Sequence, residues 1–477
     1  MSRLLLAALL LCGLPGPAAA APAGPRSNIL FIYVDDMNYE LFGHMAKTRR
    51  LIGDAGAEFS NYFVSLAICC AARASMLRGQ YAHNTTIFGN VYPNGGFRKV
   101  FLSGIEKDNV ATRLQQSGYR TALVGKYMNQ YPDTAVAPPT YVAPGWSLWF
   151  VPNGGDPDTQ YNYSINHNGK TERYGSAAAD HLNDVLLKQA TSFIREAASD
   201  PPDQPFFLAL TPMLPHLPAV APRRYASLFS GVKAPRPPSF NEADMSDKPR
   251  WMRNLPPISA WTQMKIDQRY VRQRRATAAL DDMVESLVNT LRESGQLDNT
   301  YIVFSSDNGL HMGQHRLANG KGRAYEEDIK LPLLIRGPGI PAGRKVRQIA
   351  SNVDFAPTFA QIAKLTPPDY VDGRSLVPLL SGTPPARWRQ SVLIESQRID
   401  DAKEFRAVRT ATNQIFVLYD NGDAEYYDMD TDPYQLDNRY GSMNSTLKAA
   451  FTRQIAAVRD ATGDSLRSAE EVAAGVR

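Results

Sequence analysis

Three short stretches and three single residues in this sequence carry side chains whose types and spacing could do chemistry. The first stretch is Cys69-Cys70-Ala71-Ala72-Arg73, followed by Ala74-Ser75-Met76-Leu77-Arg78-Gly79. It sets a thiol beside a fixed cation at a predicted helix start, where free backbone N–H groups and the helix dipole favour negative charge. An oxyanion would sit well there. Asp35-Asp36 and Asp307-Asn308 offer three carboxylates and one amide oxygen. Hard oxygen donors of this kind suit Ca2+ or Mg2+ and not zinc. Lys126, His216 and Lys321 add cations that hold the oxygens of an anionic ester and a proton donor for its leaving oxygen. Taken singly, each has a plainer reading, since adjacent cysteines are often small buried hydrophobes and aspartates often serve turns. Their shared placement is what points to a site.

The hydrophobic pattern predicts that placement. Four apolar runs end abruptly in polar residues: Asn28–Val34 before Asp35-Asp36, residues 121–124 before Gly125-Lys126, residues 206–210 before Thr211-Pro212 and His216, and residues 301–304 before Asp307-Asn308. Helical patterns lie between them. This predicts an α/β fold with a large, mostly parallel sheet flanked by helices, and ligands of such sheets bind beyond the carboxyl ends of the strands. Leu280, Met283, Val284, Leu287, Val288 and Leu291 predict an amphipathic helix stopped by Gly295. The preceding Arg269, Arg272, Arg274 and Arg275 read as a solvated charged face. The proline-rich residues 234–257 predict a long loop, which with residues 156–174 is expected to shape substrate access. Beyond about Leu380, short strands at 405–410 and 414–418, joined by Asp420-Asn421-Gly422-Asp423, predict a smaller antiparallel sheet with a final helix.

The motifs taken together resemble the sulfatase family over nearly the whole chain after its first residues. The Asp pair, the Cys-to-Arg signature, Gly125-Lys126, Pro215-His216, Asp307-Asn308-Gly309 and the downstream Lys321 stand in the family's order. The family signature reads Cys-x-Pro-Ser-Arg, so here Ala71 stands for its Pro, Ala72 for its Ser, and Arg78 precedes Gly79 where Thr is usual. Gly125-Lys126-Tyr127-Met128-Asn129 and the stretch 328–339 look most like the N-acetylglucosamine-6-sulfatase branch and its arylsulfatase-like relatives, a branch in which Met128 replaces no conserved His. The resemblance implies an alkaline-phosphatase-like α/β fold and a formylglycine made from Cys69 by a maturation enzyme. It also implies a divalent ion, usually Ca2+ with Mg2+ as the alternative, bound by Asp35, Asp36, Cys69 once modified, Asp307 and Asn308. Arg73, Lys126, His216 and Lys321 would grip sulfate and assist the leaving group. The substrate implied is a sulfated sugar or an aryl sulfate.

Composition agrees with that class and excludes others. The 477 residues carry a formal net charge of +5, which fits an anionic substrate and is far too mild for nucleic acid. Met1-Ser2-Arg3, an apolar run and the small residues Ala18 to Ala21 have the layout of a secretory signal peptide. Export to a periplasm, the exterior or a lysosome, according to the host, is the expectation, and no apolar run is long enough to span a membrane. Cys12 falls in that segment, so Cys69 and Cys70 alone remain and no disulfide framework is available. The expected organisation is a signal peptide at 1–21, a catalytic domain at 27–380 and a smaller C-terminal part at 381–477. Two rival functions fit the same residues. One is a phosphodiesterase or phosphonate hydrolase using unmodified Cys69, and the other a non-catalytic binder of sulfated polysaccharide.

Overall fold

The computed structural model describes residues 26–201, 204–396 and 404–474; the expected signal peptide lies outside the described residues. The run Asn28–Val34 is a strand buried along its whole length, as a strand covered on both faces must be. Alternate side chains serve opposite faces. Ile29, Phe31 and Tyr33 join one hydrophobic core, and Leu30, Ile32 and Val34 join the other.

This strand lies within a ten-stranded mixed sheet. Thr300–Ser306 flanks it on one side; Phe206–Thr211, Arg120–Gly125 and Leu148–Gly155 follow on the other, and all five strands run parallel. Val34 lies opposite Ser306, and Gly125 opposite Thr211. The chain therefore leaves the four runs singled out in the sequence at one common edge. The flanks of the sheet depart from parallel order, with Leu333–Arg336 antiparallel on one side and the hairpin Tyr163–His167 with Lys170–Tyr174 on the other. Much of the expected loop at 156–174 is thus an extension of the sheet, and a short turn at Pro157–Thr159 precedes it.

Helices cover both faces. Val110–Gln116 and Phe355–Ile362 contribute Leu114, Phe355 and Phe359 to the first core. Leu182–Ala197 and Ala260–Glu293 pack on the second, where all six periodic residues from Leu280 to Leu291 are buried. The latter helix starts earlier than its apolar pattern suggests, at a Ser259 cap whose hydroxyl accepts from Thr262 N–H at 3.2 Å. The arginine cluster consequently lies on the helix and is half-buried. Arg272 Nε donates to Pro218 O at 3.0 Å, Arg275 Nε donates to Leu228 O at 2.8 Å, and Arg274 stacks on Phe229. These arginines tie loops to the helix, which corrects their reading as a solvated face.

Residues 234–257 form a long irregular segment, broken by one short helix at Arg250–Arg253. It pairs with residue 314 through Phe240, and Lys248 and Arg250 fasten it to Leu436 and Asp423. The segment braces the chain leading to Lys321. The C-terminal sheet comprises Ser391–Ser396, Phe405–Thr410, Gln414–Tyr419 and Ala424–Asp428, all antiparallel. Two helices follow it, Ser445–Val458 and Gly463–Glu470, where the sequence suggested one. No helix among the described residues is long and apolar enough to cross a membrane.

Candidate active site

At the carboxyl edge of the parallel strands, backbone geometry sets each side chain in place. Asp36 follows the first strand with φ +63°, in the left-handed region, and its N–H donates to Asp307 Oδ1 at 3.2 Å across the strand ends. A non-glycine residue held there is strained, and such strain concentrates at functional sites. Asn308 Nδ2 donates to Asp36 Oδ1 at 2.6 Å. The buried helix Cys69–Arg78 points its first turn at this pair. Cys69 Sγ stands 3.5 Å from Asp35 Oδ1 and accepts from Lys321 Nζ at 2.8 Å. Cys70 turns away, its Sγ 3.8 Å from Met128 Sδ, while its N–H donates to Asn90. Only Cys69 therefore faces the polar cluster.

One turn along the helix, Arg73 pairs with Asp307 through Nε at 3.0 Å and Nη2 at 2.8 Å, and Nη1 donates to Lys126 O at 3.2 Å. The Lys126 ammonium pairs with Asp35, and that of Lys321 with Asp36. His216 Nε2 lies 3.8 Å from Asp36 Oδ2, and its Nδ1 lies 3.5 Å from Asp158 Oδ1. Both separations exceed ordinary hydrogen-bond lengths. The structure brings all nine residues singled out in the sequence into one contiguous cluster.

The cluster is electrically balanced, with the three carboxylates of Asp35, Asp36 and Asp307 set against Arg73, Lys126 and Lys321. Burial opposes ionisation of Asp35, but Lys126, His216 and Arg73 outweigh it and hold its carboxyl well below the usual range. Burial and the Asp35 charge push Asp307 up, against Arg73 and the two lysines. Lys126 and Lys321 remain protonated despite burial because of their carboxylate neighbours. Burial, reinforced by Asp35, also pushes the Cys69 thiol up to about 12. The cations suggested by the sequence do not make this sulfur a thiolate.

Two observations bear on a metal. Donor atoms of Asp35, Asp36 and Cys69 lie within 4.8 Å of one another, and Asn308 Oδ1 is buried with no hydrogen-bond donor. A buried acceptor lacking a donor fits a cation, as do the oxygen-rich surroundings. Because the fixed charges cancel, an anion entering the cluster would meet little net positive charge without such a cation.

Sequence reasoning missed the surroundings of His216. A recess of about 180 Å³ adjoins the cluster, lined in part by Lys126, Met128, Asn129, Asp158 and His216. Asn129 stood within the motif at 125–129 without a role, and Asp158 fell in the stretch 156–174 expected to shape access, with nothing in the sequence to show that it faces His216, 58 residues away. Residues 234–257 do not line this recess.

Known proteins show the same pattern at larger scale. A family model described as Sulfatase matches residues 27–365, and one described as N-sulphoglucosamine sulphohydrolase, C-terminal, matches residues 313–461. The chain belongs to the sulfatase family. This places it among the sulfuric ester hydrolases. It is 31% identical to an N-acetylglucosamine-6-sulfatase of Capra hircus, over 96% of this chain and 87% of that protein. It is 35% identical to the extracellular sulfatase SULF-1 homolog of Drosophila melanogaster over 82% of this chain, and that match spans 35% of the longer fly protein. BT4656, solved in complex with its substrate D-glucosamine-2-N,6-O-disulfate, superimposes with a TM-score of 0.75 at 23% identity, covering 91% of this chain and 97% of that one. A phosphonate monoester hydrolase from Silicibacter pomeroyi superimposes with a TM-score of 0.70, also at 23% identity, over 90% of this chain and 93% of that one. The fold thus serves both chemistries, and the choice between them rests on the site of this sulfatase and on its sequence relatives.

Proposed function

We propose that this sulfatase is an exported enzyme that hydrolyses sulfate esters of sugars, with aryl sulfates as the alternative class, through a formylglycine made from Cys69. The carrying observation is the position of Cys69, which alone of the pair faces Asp35 and Lys321 while its thiol is pushed up to about 12. The rival phosphonate hydrolase reading keeps Cys69 as a thiol, so the state of this one side chain separates the two. Formylglycine at this position would supply a hydrated aldehyde as the nucleophile. Asp35, Asp36, Asp307, Asn308 and the modified side chain would hold Ca2+, or alternatively Mg2+, which would supply Lewis-acid polarisation of the ester there.

The remaining roles belong to this chain's own groups. Arg73, fixed by Asp307, and the protonated Lys126 and Lys321 hold the sulfate oxygens. His216, near Asp36, donates a proton from Nε2 to the leaving oxygen. A mere binder of sulfated polysaccharide has no use for such a donor. The N-acetylglucosamine-6-sulfatase relatives support a sugar ester, and the layout of residues 1–21 supports export.

Cys69, Cys70, Ala71 and Ala72 are all fully buried, so a maturation enzyme must read them before the chain folds. The test is the mass of the Cys69 peptide from protein made in its natural host. Conversion of the thiol to an aldehyde lowers it by about 18 Da. Active host-made protein whose peptide keeps the thiol mass would sink the mechanism.

A further inference from the structure

Of the cluster's cations, Arg73 stands on a helix and Lys126 at a strand end, whereas Lys321 stands in an irregular stretch between the strand Thr300–Ser306 and the short helix Glu326–Ile329. A lysine stem is flexible, so its ammonium stays against Asp36 and Cys69 only where the backbone beneath it is held. Close by, His311 N–H donates to Gly320 O at 3.0 Å. Asp328, fully buried, lies 3.0 Å from His311 Nδ1 and accepts from Arg323 N–H at 2.9 Å, one tie on each side of Lys321. Farther off, His315 and Arg316 are successive residues in the left-handed region, with φ +50° and +60°. Neither is glycine, and backbone of this kind persists only where its surroundings over-determine it. The segment 234–257 does so here. Each guanidinium nitrogen of Arg316 donates to a different carbonyl of that segment, Nε to Glu242, Nη1 to Leu255 and Nη2 to Ala243, all at 2.8 Å. His315 N–H donates to Ser239 O at 2.7 Å, and its Nδ1 lies 2.6 Å from Glu242 Oε2.

We propose that Arg316 and His315 are positioning residues, which clamp this strained turn to the segment 234–257 and so set the Lys321 ammonium against the ester. The inference rests on the sulfate ester reading above, in which Lys321 holds a sulfate oxygen. It gives the proline-rich segment a part in turnover, although that segment does not line the recess beside His216. A shift of about 1 Å in a group that meets the reacting atoms can cost about 100-fold in rate, so a clamp at this distance has a measurable consequence.

A double-mutant cycle separates this role from a merely structural one. Full-length protein made in its natural host is assayed in Ca2+ for sulfate release from N-acetylglucosamine-6-sulfate and from para-nitrophenyl sulfate, with kcat/KM expressed per folded molecule. Arg316→Ala should lower kcat/KM about tenfold, and Lys321→Ala at least about 100-fold. In the Lys321→Ala background, Arg316→Ala should cost less than about a further twofold, because the group it positions is gone. In a Lys126→Ala background it should still cost about tenfold. His315→Asn covers the case in which Arg316→Ala does not fold: asparagine tolerates the left-handed backbone but is too short to keep the contact with Glu242, and its effect should likewise vanish without Lys321. A full tenfold loss in the Lys321→Ala background would overturn the proposal, as would native kcat/KM in both clamp variants. Native protein that releases sulfate from neither ester would instead overturn the sulfate ester reading, and this inference with it.

Discussion

Arg73 and Asp307 carry the clearest consequences for single residues. They are 2% and 0% exposed, and two nitrogens of Arg73 engage the same carboxylate. Removing one half of a buried ion pair leaves the other charge uncompensated, at a cost of about 3–5 kcal/mol. Asp307→Asn keeps the shape of the side chain and deletes that charge. Turnover of a sulfate ester should fall at least about 100-fold, the scale of losing one aligned charge-stabilising group. The variant should also respond less to metal. Ca2+ at a hundred times its Kd stabilises a protein that binds it by about 2.7 kcal/mol, and after chelation the native chain should regain that increment where Asp307→Asn regains much less. Thermal unfolding with and without Ca2+ reads the difference. An equal gain in both proteins would remove Asp307 from the metal set.

The elements act by aiming these residues, and Gly125 shows how tightly. It ends the strand Arg120–Gly125 with φ +119°, and a Cβ built there would come within 2.2 Å of the carbonyl oxygen of Thr211 on the adjacent strand. Only glycine allows that approach, and the next residue is Lys126. Gly125→Ala should destabilise the protein by at least about 2 kcal/mol and cut activity further than stability explains, because the shifted strand end misplaces the Lys126 ammonium. Denaturant unfolding and turnover measured on one preparation test this; a variant that is less stable yet fully active would show the lysine to be placed independently. Strand ends of this kind were legible in the sequence because apolar runs and polar stops are local signals. Asp35, Lys126, His216 and Asp307 were found in that way. The hairpin beginning at Tyr163 was not, since its outer strand is largely exposed and lacks an apolar alternation to read. Asp158 fell within the access stretch expected at 156–174, but its approach to His216 escaped for a related reason. Its meaning comes from a turn that folds back on a distant histidine, and spacing along a chain does not encode that.

Across the whole molecule, buried charge joins the C-terminal helices to the layer that carries Cys69. Arg389 binds Asp354 at 2.7 Å and Glu470 at 3.0 Å, all of them fully buried, and Asp354 immediately precedes the helix Phe355–Ile362. His83 makes a second tie, five residues after the signature helix ends. Its Nδ1 lies 3.1 Å from Glu395 Oε2 on the first C-terminal strand, and its Nε2 lies 2.9 Å from Ala461 O between the last two helices. Both contacts are with acceptors, which only the doubly protonated imidazolium satisfies. Burial lowers the affinity of His83 for its proton, but Glu395 outweighs burial and raises the pKa above the ordinary 6.5. A group raised in the folded state contributes its full stability below the unfolded value and loses it as pH climbs through the folded one. As pH climbs past the ordinary 6.5 and through the raised folded value, His83 should therefore contribute a loss of stability of at most about 1.4 kcal/mol per pH unit. His83→Gln keeps one donor and cannot titrate, so its denaturation midpoint should vary less over that range. The comparison of the two slopes isolates His83 from every other titrating group. If the slopes coincide, the tie between the signature layer and the C-terminal sheet does not depend on the charge of His83.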